Sequence, residues 1–277
     1  MRFSVGIVQA LPMTDPALAA TADRAAPLRD GRLRGIDALW IALVFFLGQG
    51  AVIAASLVIG VIYGLITHRP LLGGEGLTAD VTQAVIVVAM ATAAAVFFFG
   101  SLWIARRRGI GMGALGFRRT EGRWYLLAAV LFVLFFLIDG FLFRWVDPSG
   151  ALQEQLTSQL FLRTDSVLWM GVVALAAGPI TAVAEETLFR GLVYRWLRER
   201  ATVIVAVLAS GALFGISHFY FLVPGGTAGI VLTTEIMVMG FLTAWLVQAS
   251  GSLWPPILLH LLNNSAVVLF AFLDAAG

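Results

Sequence analysis

Residues 185–190, Glu185-Glu186-Thr187-Leu188-Phe189-Arg190, set two carboxylates and a guanidinium inside the apolar run Leu168 to Leu197. An ionised group at bilayer depth is costly, so its presence there points to function. Glu186 and Arg190 are four apart, which puts them on one helical face within reach of an ion pair. Glu185 points about 100° away. The spacing suggests that Arg190 neutralises and positions Glu186, leaving Glu185 to face a cavity as a base. The bland alternative is a clamp between helices near one end of the bundle.

Two further polar clusters lie in apolar surroundings. His218 follows Leu213-Phe214-Gly215-Ile216-Ser217, where small residues at 211 and 215 allow a neighbouring helix to pack closely. Taken alone, it reads equally as a histidine bonded to a carbonyl. His260 and Asn264 are four apart, so an imidazole and an amide share one face of the last segment, while Asn263 is turned away. Such a pair can bind a metal, polarise a carbonyl or hold an oxyanion, with a neutral imidazole as donor. Asp139 and Glu235 are also acids within apolar segments and suit a proton path; Glu235 is read as support for the site and Asp139 as structural. His68, beside Arg69 and Pro70 in a connection, is assigned no role.

The elements that must position these groups follow from composition. Hydrophobic residues make up 60% of 277 positions and charged ones 12%, the mark of a polytopic membrane protein. Unbroken apolar stretches such as Val85 to Phe99 lack the alternation of barrel strands, so the backbone must satisfy itself as helices. With no cysteine, disulfides and a thiolate nucleophile are excluded. All the basic residues are arginines, which excludes a Schiff base, and a net charge of +2 argues against nucleic acid.

The predicted fold is all-α, a transmembrane bundle of seven or eight spans. Apolar segments of spanning length run over Leu39 to Ile66, Val81 to Ile104, Trp124 to Phe143, Val167 to Leu197, Ala201 to Ser217, Gly229 to Gln248 and Leu253 to Leu273. Gly48-Gln49-Gly50 interrupts the first and Gly178-Pro179 the fourth, so either could be two elements. Residues 1–36, which mix Pro, Ala, Asp and Arg without period, read as a disordered tail; a signal peptide is disfavoured by Gln9 and Pro12. Arg2, Arg24, Arg29, Arg32, Arg34, Arg106, Arg107, Arg108, Arg118, Arg119, Arg123, Arg195, Arg198 and Arg200 fall on one side of a seven-span arrangement, against Arg69, Arg144 and Arg163 on the other. The bias of positive residues to the cytoplasm then puts the N-terminus inside.

Glu185-Glu186-x-x-x-Arg190, Phe214-x-x-x-His218 and His260-x-x-x-Asn264, in that order, resemble the three motifs of the CAAX prenyl protease and bacteriocin-processing (CPBP, or Abi) family of intramembrane proteases. Phe189-Arg190-Gly191, Gly251-Ser252-Leu253-Trp254-Pro255-Pro256-Ile257 and Leu115-Gly116-Phe117-Arg118 are similar to that family's flanking sequence, so the resemblance covers about residues 115–270. It implies a glutamate-dependent endopeptidase. Glu185 and His218 would activate a water, His260 and Asn264 would stabilise the oxyanion, and Glu186 and Arg190 would support the site. The chain then divides into the cytoplasmic tail 1–36, an N-terminal transmembrane scaffold 37–114 and, as the resemblance implies, a catalytic transmembrane domain 115–277. The expected setting is a bacterial-type cell membrane, with peptide or membrane-protein substrates and no nucleic acid.

A divalent metal such as zinc stays open at this point. Glu185, His218 and His260 are a plausible ligand set, yet they come from three helices and no His-Glu-x-x-His signature occurs. Depth is also unresolved. Counting rise per residue from the arginine-bearing ends puts Glu185 roughly 20 Å deep, His218 about 26 Å and His260 about 10 Å. Two other classes compete with the peptidase: a proton-coupled transporter, which would show internal sequence symmetry that this chain lacks, and a noncatalytic membrane scaffold or immunity protein.

Overall fold

The computed structural model describes residues 31–68, 78–146, 166–218 and 222–276, and the expected tail is outside it up to residue 30. Among the described residues the chain forms eight helices: α1 Asp37–Thr67, α2 Ala79–Arg107, the short α3 Met112–Leu115, α4 Gly122–Val146, α5 Val167–Arg198, α6 Val203–Ile216, α7 Leu222–Ser250 and α8 Trp254–Ala276. Each apolar segment of the sequence is a helix, and the protein is an all-α, multi-pass membrane bundle. Six helices are long and apolar enough to cross a bilayer. The fifth segment, α6, has 14 residues, about 21 Å of helix, short of the roughly 30 Å hydrocarbon core.

Local chemistry sets the helix ends. Thr78, Ser166 and Thr202 each accept a hydrogen bond from the backbone N–H three residues on, which starts α2, α5 and α6. Neither glycine interruption breaks a helix. Gly48 instead gives α1 the space to lie against the Phe97 ring of α2. At Pro179, which has no N–H to donate, α5 widens into a π-helical turn over Ala176–Ile180 and continues. A second π turn, Phe189–Tyr194, follows the glutamates.

Helix α5 is the hub, packing against α1, α2, α6, α7 and α8, while α4 lies outside against α7 and α8. Large apolar side chains such as Phe46, Leu65, Phe141, Leu168 and Ile204 are exposed around the rim. In a membrane protein that rim is the lipid-facing surface. Helices α6 and α7 approach backbone to backbone: a Cβ on Gly240 would fall 2.8 Å from the Gly211 carbonyl oxygen and one on Gly215 2.6 Å from the Met237 Cβ, the small-residue packing that membrane helices use. Gly240→Val should separate the pair and lower stability by about 1–3 kcal/mol. Thermal unfolding in detergent checks this, and an unchanged midpoint would refute the close approach.

The arginine-rich end is capped by the 109–121 connection. Gly116 takes φ 120° and Gly251 φ 63°, conformations that side chains disfavour. At this crossing the Leu253 N–H donates to the Gly116 carbonyl at 2.8 Å and the Ser252 hydroxyl to the Arg118 carbonyl at 2.7 Å. Leu115 packs where a side chain on Gly191 would sit, and Phe117 meets Trp254 edge to face. Residues 31–36 run along the same end. Arg195 donates to the carbonyls of Gly31 and Ala114, Arg200 donates to that of Leu33, and Glu199 accepts from the Leu33 N–H. Arg108 forks onto Asp37 at 2.8–3.0 Å, which pushes its guanidinium further above its ordinary value.

Candidate active site

Between its two π turns, α5 presents the glutamates to two different neighbourhoods. Glu186 is fully buried and turns inward, where its Oε1 accepts from His260 Nδ1 at 2.9 Å and pairs with Arg190 Nη1 at 3.2 Å. Glu185 stays partly open, at 14% side-chain exposure, with Oε2 3.8 Å from His260 Nε2. The angular division expected from the helix is therefore present, and the two faces of α5 meet the two nitrogens of one imidazole. Because a carboxylate only accepts, Nδ1 of His260 carries the hydrogen. Nε2 then donates to a third group only when the ring is an imidazolium, which differs from the neutral donor expected from sequence.

Arg190 anchors this arrangement from behind. Its guanidinium is buried, lies 4.4 Å from the centre of the Phe214 ring, and donates through Nη2 to the Gly240 carbonyl at 3.0 Å and to the Thr243 hydroxyl. A charge buried so deeply is tolerable only when paired and hydrogen-bonded. Both α7 partners escaped the sequence reading. The available signal was a hydroxyl, Thr243, within an otherwise apolar stretch of α7.

His218 stands at the end of α6, with Nδ1 donating to the Phe214 carbonyl at 2.8 Å. The bland expectation of a carbonyl-bonded histidine is thus met. Phe214 links the histidines, with ring centroids 5.1 Å from His218 and 5.6 Å from His260. Glu185, His260 and Arg190 all lie within electrostatic reach of the His218 ring. Asn264 is one turn beyond His260 on α8, where its Nδ2 donates to the Ala177 carbonyl of the first π turn at 2.9 Å. The second N–H of that amide is the one available to another acceptor. Asp139 of α4 and Glu235 of α7 lie within interaction distance of each other.

The disagreement in depth has a structural cause. Residues 251–253 are roofed by the Gly116–Arg118 turn, and both Ser252 and Leu253 are fully buried, so α8 starts beneath a cap of protein. His260 accordingly lies deeper than a count from Trp254 gives, level with Glu185 and Glu186. His218 is one turn beyond Phe214 on α6, and the phenyl ring bridges that step. As for a metal, no three of His, Asp and Glu among the described residues converge as a ligand set. Nδ1 of His218 and Nδ1 of His260 each bond a protein acceptor, the second hydrogen bond that metal-bound histidines also make.

Comparison with known proteins bears on the same region. Residues 164–266 match the family described as Type II CAAX prenyl endopeptidase Rce1-like. Over 100 residues the chain is 33% identical to a Bacillus subtilis (strain 168) protein named "Putative membrane peptidase YdiL", a stretch that is 36% of each chain. The match thus spans about a third of that relative's length. No solved structure matches.

Proposed function

We propose that this multi-pass protein, whose residues 164–266 match the family described as Type II CAAX prenyl endopeptidase Rce1-like, is an intramembrane endopeptidase acting through a glutamate-activated water. One observation carries the reading: Glu185, partly open, faces His260 Nε2 at 3.8 Å while Glu186 holds the opposite nitrogen at 2.9 Å. The two adjacent carboxylates are thereby given different work.

In the proposed reaction Glu185, assisted by His218 Nε2, accepts a proton from water as the water oxygen attacks the scissile carbonyl carbon. The carbonyl oxygen becomes an oxyanion, which takes hydrogen bonds from His260 Nε2, in the imidazolium form, and from the free N–H of Asn264. The tetrahedral centre then collapses, the C–N bond breaks, and the proton held by Glu185 passes to the leaving amine. Glu186 and Arg190 contribute by fixing the His260 ring. No step is routed through a metal. The substrate is a peptide or a membrane-protein segment presented at bilayer depth.

Purified protein incubated with a peptide library, with and without a chelator, tests the proposal. Cleavage products should form in both conditions and be lost in His218→Ala. Cleavage unaffected by His218→Ala would overturn the proposed water activation, and loss of cleavage on chelation would overturn the metal-free route.

A further inference from the structure

The buried guanidinium of Arg190 needs more than Glu186 to fix its plane. The ion pair at 3.2 Å restrains one end, and the Phe214 ring at 4.4 Å supports a face without setting rotation. The in-plane partners are both on α7: the Gly240 carbonyl at 3.0 Å and the Thr243 hydroxyl, each bound by Nη2. Thr243 is fully buried, and its own hydrogen points back along α7 to the carbonyls of Met239 at 2.9 Å and Gly240 at 3.2 Å. That donation turns its lone pairs toward Arg190.

Resting on the endopeptidase reading, we propose that Thr243 is a positioning residue, the far end of a relay running Thr243, Arg190, Glu186, His260. By holding the guanidinium plane, Thr243 keeps Glu186 Oε1 on His260 Nδ1 and so keeps Nε2 turned to Glu185. No residue in the relay other than His260 needs to touch substrate. The relay joins α7, α5 and α8, so it also makes the relative register of these three helices part of the site.

Thr243→Val preserves shape and removes the acceptor, whereas Thr243→Ser keeps it. The sequence has three histidines, so ¹⁵N-histidine NMR of the full-length protein in micelles is assignable by single replacements and needs no substrate. The His260 Nδ1–H signal should be present in the wild type and in Thr243→Ser, and be lost or exchange-broadened in Thr243→Val. In library-peptide cleavage, kcat should fall about tenfold or more in Thr243→Val with KM little changed, the factor one hydrogen bond to a charged group supplies, and return to within about twofold in Thr243→Ser. An unchanged His260 spectrum in Thr243→Val overturns the proposal, as does a serine variant as defective as valine. If Glu185→Gln leaves cleavage intact the endopeptidase reading fails, and the spectrum still decides the role of Thr243.

Discussion

Glu185→Gln should abolish peptide cleavage while leaving the bundle folded. The substitution preserves size and the oxygen that faces His260, and removes only the capacity to take a proton from water. Positioned acid–base groups contribute about 10²–10⁴ in rate, so kcat should fall by at least the lower bound with KM nearly unchanged. The fold is expected to tolerate the change because Glu185 is the less buried of the two glutamates and its nearest charged partner, His260 Nε2, is 3.8 Å away, beyond hydrogen-bond distance. Thermal unfolding of the glutamine variant should coincide with that of the wild type. A variant that cleaves at the wild-type rate would remove Glu185 as the base and, with it, the proposed reaction.

What could be read from the sequence depended on local physics. The seven helices were legible because hydrocarbon demands length and apolarity, quantities a single segment carries by itself. The Glu186–Arg190 pair was legible because four residues make one helical turn, and the close approach at Gly211 and Gly215 because small side chains admit a neighbouring backbone. What could not be read depends on register between helices. His260 finds Glu186 across 74 positions of sequence, and Asp139 finds Glu235. The helical period says which face a residue occupies and nothing about which neighbour that face meets. Pro179 illustrates a second limit: a missing N–H predicts a disturbed helix, yet a π turn absorbs it without a break. A third limit is that a count of rise from Trp254 takes the first helical residue as the end of the bundle, whereas α8 begins under the Gly116–Arg118 turn. The flanking residues that carried the resemblance, Leu115 to Arg118 and Gly251 to Trp254, are the two sides of that turn and its partner.

Glu186→Ala should have the largest effect on stability of any single change at the site. Both members of the Glu186–Arg190 pair are buried with side-chain exposures of 0%, and they lie 3.2 Å apart. Removing the carboxylate strands a guanidinium in a low-dielectric interior, where loss of one partner of a buried pair costs about 3–5 kcal/mol. That is a large share of the about 5–15 kcal/mol by which folded proteins are stable, so a sharply lowered unfolding midpoint and poor recovery from the membrane are expected. The alanine variant also frees His260 Nδ1, and cleavage should be lost in whatever folded fraction remains. Adding Arg190→Met to Glu186→Ala takes away the stranded charge and leaves an apolar side chain against Phe214. The double variant should therefore regain much of the stability and none of the activity. Unfolding midpoints of the single and double variants in one detergent, read beside cleavage, separate the two roles of Glu186. If the single variant unfolded with the wild type, the pair would contribute no net stability, and if the double variant cleaved peptide, His260 would not need the carboxylate behind it.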